Sequence, residues 1–360
     1  MPDSATLLPY LLPPVAALAF MLGSVLVTFY AERKVSAFMQ DRLGPMQQGP
    51  YGVLQALADI GKLAQKGWAM PAGADGLLFA AAPLVVFGAV FAGFAVVPLV
   101  PGAPPAAVGA GLFYLLAVVS LDAAGVWMAG WASFSKYPIL GAMRAVGQLL
   151  SYEVPLGLCV LCVVCWAGTA DLAAIAQAQA PGAAGPVWLL GSEALGIDVR
   201  AVGGFLAWNV VQVPWFAPLF AIYYLCTLAE CNRAPFDLPE GESELVGGFH
   251  TEYSGFGFAV FFLAEYALMV LVCVVGVYLF LGGGASPLPN LGPVALADYT
   301  NGPFWGLAWL TGKTWLLLAS HVWVRWTLPR LRIDQLMHLS WKVLTPATLV
   351  ALLATLLSRG

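Results

Sequence analysis

Residues 255–281 read GFGFAVFFLAEYALMVLVCVVGVYLFL, and this stretch decides the fold. It is long enough to cross a hydrocarbon layer, which takes about 20 apolar residues, and Glu265 is its only charge. Seven further segments qualify in the same way: about 11–31, 78–100, 108–132, 148–168, 206–229, 303–328 and 342–358. Backbone inside lipid has to satisfy its own hydrogen bonds, so each is expected to be a helix. The weakly apolar stretch 169–205 is rich in Pro and Gly, which argues for a loop rather than a ninth span. The expected architecture is an all-α integral membrane bundle of about eight transmembrane helices, one polytopic domain over 1–360.

The whole composition agrees. Hydrophobic residues make up 61% of the chain and charged residues 9%, against roughly a quarter charged in soluble domains. A chain this apolar cannot cover a water-facing surface. The first apolar stretch lacks a basic n-region and is followed by a charged loop, so it reads as a retained anchor rather than a cleaved signal. The net charge of −4 matters less than where the charges lie. Arg33, Lys34, Arg42, Lys62, Lys66, Lys136, Arg144, Arg233, Arg330 and Arg332 follow odd-numbered spans, with Arg325 and Lys342 at the border of the last such loop. Only Arg200 and Arg359 fall on the other side. The positive-inside bias therefore predicts cytoplasmic loops at about 32–77, 133–147, 230–254 and 329–341, with both termini outside.

The first of these loops carries PYGVLQALADIGKLAQK, residues 50–66. Gln55, Asp59, Lys62 and Lys66 share one helical face, and Val53, Leu57, Ile60 and Ala64 another. That pattern predicts an amphipathic helix lying in the membrane interface, as a simple surface anchor or as part of a site.

The loop 229–253, AECNRAPFDLPEGESELVGGFHTEY, concentrates Glu230, Asp237, Glu240, Glu242, Glu244 and Glu252 around a single fixed cation, Arg233. Repulsion and desolvation are expected to raise some of these pKa values and couple the titrations. Carboxyls tuned in that way exchange protons near neutral pH. The alternative is a solvated acidic run, but Phe236, Leu238, Leu245, Val246 and Phe249 are expected to fold the loop against protein. Asp122, Glu153, Glu265 and Lys313 fall at or inside predicted spans, where charge is costly and usually faces a bundle interior or cavity. Together with the loop they suggest a polar path into the membrane.

Cys159, Cys162 and Cys165 have a spacing found in iron–sulfur motifs, yet they sit in an apolar span and read as small buried residues. Cys226, Cys231 and Cys273 show no ligand spacing. His250, His321 and His338 are too scattered for haem or metal ligation, so no metal site is assigned. No Walker A loop, dinucleotide fingerprint or nucleophile elbow is present, and no redox centre is evident on this chain.

Longer motifs carry a family resemblance. They include Ala31-Glu-Arg-Lys34, Asp41-Arg-Leu-Gly-Pro45, Leu54-Gln-Ala-Leu-Ala-Asp59, Gly130-Trp-Ala-Ser133 and Ser151-Tyr-Glu153. The most specific is Asn232-Arg-Ala-Pro-Phe-Asp-Leu-Pro-Glu-Gly-Glu-Ser-Glu-Leu245, followed by Phe262-Leu-Ala-Glu-Tyr266 and Asp334-Gln-Leu-Met-His-Leu-Ser-Trp-Lys342. Over nearly its whole length the chain resembles the H-subunit family of complex I, which includes mitochondrial NADH dehydrogenase subunit one. The resemblance implies a membrane subunit of a proton-translocating NADH:quinone oxidoreductase, in the bacterial cytoplasmic membrane. It would join other membrane subunits to a peripheral arm that carries FMN and iron–sulfur clusters, with quinone as the substrate and no cofactor bound by this chain alone. It further implies that Glu32, Arg33, Asp59, Phe236 and Arg325 lie along or near the quinone chamber. Glu153, Glu230, Glu240, Glu242, Glu252 and Glu265 would begin the proton route, and Arg233 and Asp237 would shape the loop between. Gly67, Asp122, Phe134, Cys231 and His250 depart from the family pattern, and Asp122 and His250 would add proton-binding groups.

Two other readings stand beside this one. Membrane acids also suit an independent proton or ion transporter, though no internal repeat is visible. A related membrane subunit of energy-converting hydrogenases, or of ferredoxin- or deazaflavin-linked dehydrogenases, would share many motifs. Nothing in the residues separates ubiquinone from menaquinone or identifies the electron donor.

Overall fold

The computed structural model describes residues 4–99, 109–180, 188, 198–239, 241–290 and 296–359, with the side chains of 4–12, 200, 201, 242, 243 and 359 outside that description. Among them there is no strand, and only an isolated bridge joins Trp188 and Asp198. The principal helices are α1 (Ser4–Met39), α2 (Gln55–Gln65), α3 (Gly76–Phe94), α4 (Gly111–Ala132), α5 (Lys136–Ala167), α6 (Phe216–Glu230), α7 (Gly255–Phe280), α8 (Pro303–Thr327) and α9 (Ile333–Ser358).

Six of these are long and apolar enough to cross a membrane: α1 from Pro13, then α3, α4, α5, α7 and α9. Two of the eight expected spans fall short of that standard for different reasons. Helix α6 has only 15 residues, because the expected span 206–229 begins in short turns at Gly204–Ala207 and Asn209–Gln212. Helix α8 is 25 residues long but carries Lys313, His321 and Arg325.

Helix ends also differ from the hydropathy boundaries. Helix α1 continues past 31 to Met39, and α5 starts at Lys136 rather than 148. Hydropathy marks where apolar content stops, whereas Glu32, Lys34, Lys136 and Arg144 are good helix formers that extend the turns beyond it. In the first loop the helix covers 55–65 rather than 50–66. Pro50–Gly52 is a separate turn with Tyr51 at φ +54°, and Gly52, at φ +78°, lies so close to the Pro45 carbonyl that a Cβ would meet its oxygen at 2.2 Å. In the 169–205 stretch a helix of 7 residues, Leu172–Ala178, is capped by Asp171 and is far too short to span.

Helix α7 is the axis of the bundle and packs against α1, α2, α3, α6 and α8. Every residue from Tyr266 to Phe280 is buried. Helices α1 and α9 instead leave Val15, Leu22, Val27, Leu349, Val350, Leu353 and Leu357 uncovered, an apolar exterior suited to lipid. The loop 231–254 folds onto the bundle as expected. Phe236, Leu245 and Phe249 are buried, Leu238 is half-buried, and Val246, at φ +65°, projects outward at 62% exposure. Gly141 of α5 makes this possible, because a Cβ there would meet the Gly248 backbone at 2.8 Å.

Lys313 does not join the acidic residues. Its ammonium donates to the carbonyls of Leu281 (2.7 Å), Gly283 (3.0 Å) and Ala285 (2.7 Å), and lies 4.7 Å from the Trp208 ring. A cation held at the C-terminal end of α7 complements the helix dipole and the unpaired carbonyls there. A Lys313→Met variant is expected to lose on the order of 3 kcal/mol, since three acceptors lose a charged donor. The check is the melting temperature of the purified protein in detergent, which should drop by several degrees.

Candidate functional site

Side chains from α1, α7, α8 and the turn after α6 meet in an ion cluster built around the buried Glu32 and Arg233. Glu32 of α1 is 4% exposed, and its Oε1 accepts from Nη1 of Arg233 at 2.9 Å and from Nη1 of Arg325. Arg233, in the turn that follows α6, also has Nε 3.2 Å from Oε1 of Glu265 on α7. Its guanidinium lies 4.5 Å from the centre of the Tyr266 ring. Two carboxylates and two guanidiniums thus balance each other, and pairing of this kind is the condition under which the buried Glu32 and Arg233 are tolerated. Three hydrogen bonds hold the turn in place. Gln148 of α5 donates to Ala229 O (2.7 Å) and Asn232 Oδ1 (3.1 Å), and Leu331 N donates to Pro235 O (3.0 Å).

Beside this cluster lies a cavity of about 470 Å³, lined among others by Glu32, Arg33, Arg233, Glu265, Tyr266 and Arg325. A second, more apolar cavity of about 300 Å³ opens between α1, α2 and α7. It shares Phe29, Arg33, Phe262 and Tyr266 with the first and adds Asp59, Ile60 and Leu63. Arg33 sits at the junction. It bonds to Asp59 at 2.6 Å and lies 4.0 Å from the Phe29 ring, while Gln55 holds the other Asp59 oxygen at 2.9 Å.

Deeper in the bundle, a small cavity of about 30 Å³ is lined by Asp122, Glu230, Asn232, His250 and Glu265, among others. Glu230 also lines a fourth space of about 250 Å³ together with Ser120, Glu153 and Tyr223. Glu265 therefore borders both the ion-cluster cavity and the small one, and Glu230 both the small one and the fourth. This ordered sharing of walls is the geometric core of the site.

The expected residues divide accordingly. Glu32, Arg33, Asp59, Arg233 and Arg325 meet around the two outer cavities, and Glu153, Glu230 and Glu265 along the inner ones. Phe236 is 1% exposed and packs on Tyr152, 5.2 Å between ring centres, away from all four cavities. Glu252 is half-buried and lines none of them. Glu240 and the side chain of Glu242 lie outside the described residues. Asp237 pairs with Arg330 at 2.8 Å on the loop's outer side.

The acidic loop is less short of cations than its sequence implies. Arg330 and Arg144 come from other parts of the chain to pair with Asp237 and Glu244. Burial pushes Asp237 up, with Arg330 opposing it, whereas Glu244 is held below the usual range by its hydrogen bond and charge contact with Arg144. Asp237 thus follows the upward shift expected of some of these carboxyls, whereas Glu244 departs from it because of its own arginine. Burial also pushes the His250 imidazole down. The sequence does not single out Tyr266 or Gln148 as site residues. Tyr266 directly follows Glu265, but no local signal reveals that it faces Arg233.

These features define an integral membrane protein with a charged cavity at one end of its bundle and a carboxyl series leading inward. Comparison with known proteins gives the family. Residues 13–356 match the family model described as NADH dehydrogenase. A relative from Cytophaga hutchinsonii, its NADH-quinone oxidoreductase H subunit 2, is 48% identical over 92% of this chain and 94% of its own. The H subunit of Chlorobium luteolum is 48% identical over 91% of this chain and 82% of its own, and that of Rhodospirillum centenum 41% over 98% and 92%. The chain belongs to the NADH-quinone oxidoreductase H-subunit family, the family of complex I membrane subunits that includes mitochondrial NADH dehydrogenase subunit one.

Proposed function

We propose that this chain is the complex I membrane subunit that houses part of the quinone chamber and couples quinone reduction to proton translocation. The observation that carries the reading is the unbroken sharing of walls from the apolar cavity, through the ion cluster, to Glu265, Glu230 and Glu153. A quinone has a polar head and a polyprenyl tail. The cavity between α1, α2 and α7 suits the tail, and the space beside Glu32, Arg33, Arg233 and Arg325 suits the head. The redox chemistry belongs to FMN and iron–sulfur clusters on peripheral-arm partners. This chain holds the headgroup near its reductant and passes on the proton demand created there. Helix α2, with Leu57 and Ile60 exposed opposite its polar face, lies flat in the membrane interface beside the quinone entrance. The bundle crosses the bacterial cytoplasmic membrane as eight helices, with α6 and α8 among them.

The direct test uses a quinone carrying a photoreactive group on its tail, added to the intact complex. Label is expected on peptides containing Phe29–Arg33 or Phe258–Tyr266, and excess unlabelled quinone should displace it. Label confined to other parts of the chain would overturn the assignment. Orientation is tested separately with Val246→Cys, whose position is exposed. A membrane-impermeant thiol reagent is expected to react only in opened cells, and reaction in intact cells would place the loop outside.

A further inference from the structure

We infer that Asp122 and Glu230 hold one proton between them through a water bound in the 30 Å³ cavity, which makes Asp122 a second proton-holding residue beside Glu230. The inference rests on the proposed proton route and adds to it a residue on a different helix.

Asp122 lies on α4 and Glu230 at the end of α6, 6% and 3% exposed, and both line this cavity. Oδ1 of Asp122 and Oε2 of Glu230 each have no hydrogen-bond partner among the described residues. A buried acceptor left without a donor costs free energy, so such atoms generally have an unseen partner, most often water. Space is available, because a water needs about 10–15 Å³ and 2–4 polar neighbours. One water can accept from whichever of these oxygens carries the proton and donate to the other, and so serve both.

Charge then excludes the doubly ionised pair. The groups that face Asp122 are Glu230, Glu153 from α5, His250 from the turn 248–250 and Glu265 from α7, while α3, packed on the other side, carries no titratable residue. Arg233 pairs with Glu265 and Glu32 rather than with Asp122. Two carboxylates facing one closed space without a cation of their own do not both ionise. With one proton the pair carries a single negative charge. Transfer breaks the O–H bond of one carboxyl as its proton passes to the water, and the water gives a different proton to the other carboxylate. Proton number and charge are unchanged, so the pair relays without storing a second charge.

The test uses the intact complex with Asp122→Asn, Glu230→Gln and the double variant, and checks assembly by co-purification of the peripheral subunits. If the Asn variant does not assemble, Asp122→Ser removes the carboxyl with room left for water and is read in the same way. Infrared difference spectra on quinone reduction, in light and heavy water, report protonated carboxyls. Each single substitution is expected to shift the carboxyl band of the partner that remains, because the shared proton becomes localised on it. Turnover of the double variant should be no slower than that of the slower single variant, whereas independent groups would multiply their effects. A Glu230 band that Asp122→Asn leaves unshifted, or multiplicative slowing, overturns the shared proton. If Glu230→Gln turns over at the parent rate, the proposed route fails, while reciprocal band shifts in the two single variants would still support the pair.

Discussion

An Arg233→Met variant is expected to lose about 3–5 kcal/mol of stability, the range for removing one partner from a buried ion pair. Arg233 is 7% exposed and contacts Glu32, Glu265 and the Tyr266 ring together. Without it, Arg325 still pairs with Glu32, but Glu265 loses the guanidinium that lies 3.2 Å from it. Methionine restores the packing of the side-chain stem, so the loss isolates charge and hydrogen bonding from volume. Lysine keeps the charge but offers a point ammonium in place of a planar fork. Arg233→Lys is therefore expected to fall between the parent and the methionine variant. The measurement is the amount of this chain retained in purified complex, with thermal unfolding of what assembles. A methionine variant that accumulates and melts like the parent would show that the cluster does not hold the four helix ends together.

Glu230→Gln is expected to have the largest effect on activity. Glutamine keeps the size and hydrogen-bonding capacity of the side chain but cannot ionise. Glu230 is the wall common to the small cavity and to the one that contains Glu153, so its loss interrupts the proposed route at its narrowest point. Quinone-dependent turnover and its linked proton translocation should fall about a hundredfold or more, the usual contribution of a positioned proton-transfer group. NADH oxidation by an artificial acceptor that bypasses the quinone site should persist, which shows that the complex has assembled. Both activities would be followed in sealed vesicles, with pumping read from acidification. Pumping and quinone reduction at the parent rate would remove Glu230 from the proton route and return the acidic loop to a structural role.

Much of this was legible in the residues. Long apolar segments announced a helical membrane protein, since lipid leaves the backbone few alternatives. The basic residues sorted to one set of loops, and the string from Asn232 to Leu245 pointed to the family. The charges inside spans were visible as exceptions, but their fates were not. Lys313 and Glu265 look equivalent in sequence as lone charges in apolar helices. In the folded chain one caps the end of α7 and the other borders the ion cluster. Phe236, in the same motif as Arg233, packs against Tyr152 instead of facing the cavities. The loop's apparent excess of acid shrank once Arg144 and Arg330 reached Glu244 and Asp237 from other elements.

The sequence by itself determined the environment of the chain, its all-helical class and the family to which it belongs. Each of these depends on residue content within one segment or motif. Only the tertiary structure decided that α7 is enclosed from Tyr266 to Phe280 while α1 and α9 keep bare apolar faces, because a lipid tail and a neighbouring helix present the same apolar surface to a span. It also decided the site. Glu32 meets Arg233 from 201 residues away and Arg325 from 293. A buried charge takes its partner from whatever the packing brings within reach, and that pairing leaves no periodicity in the chain to read.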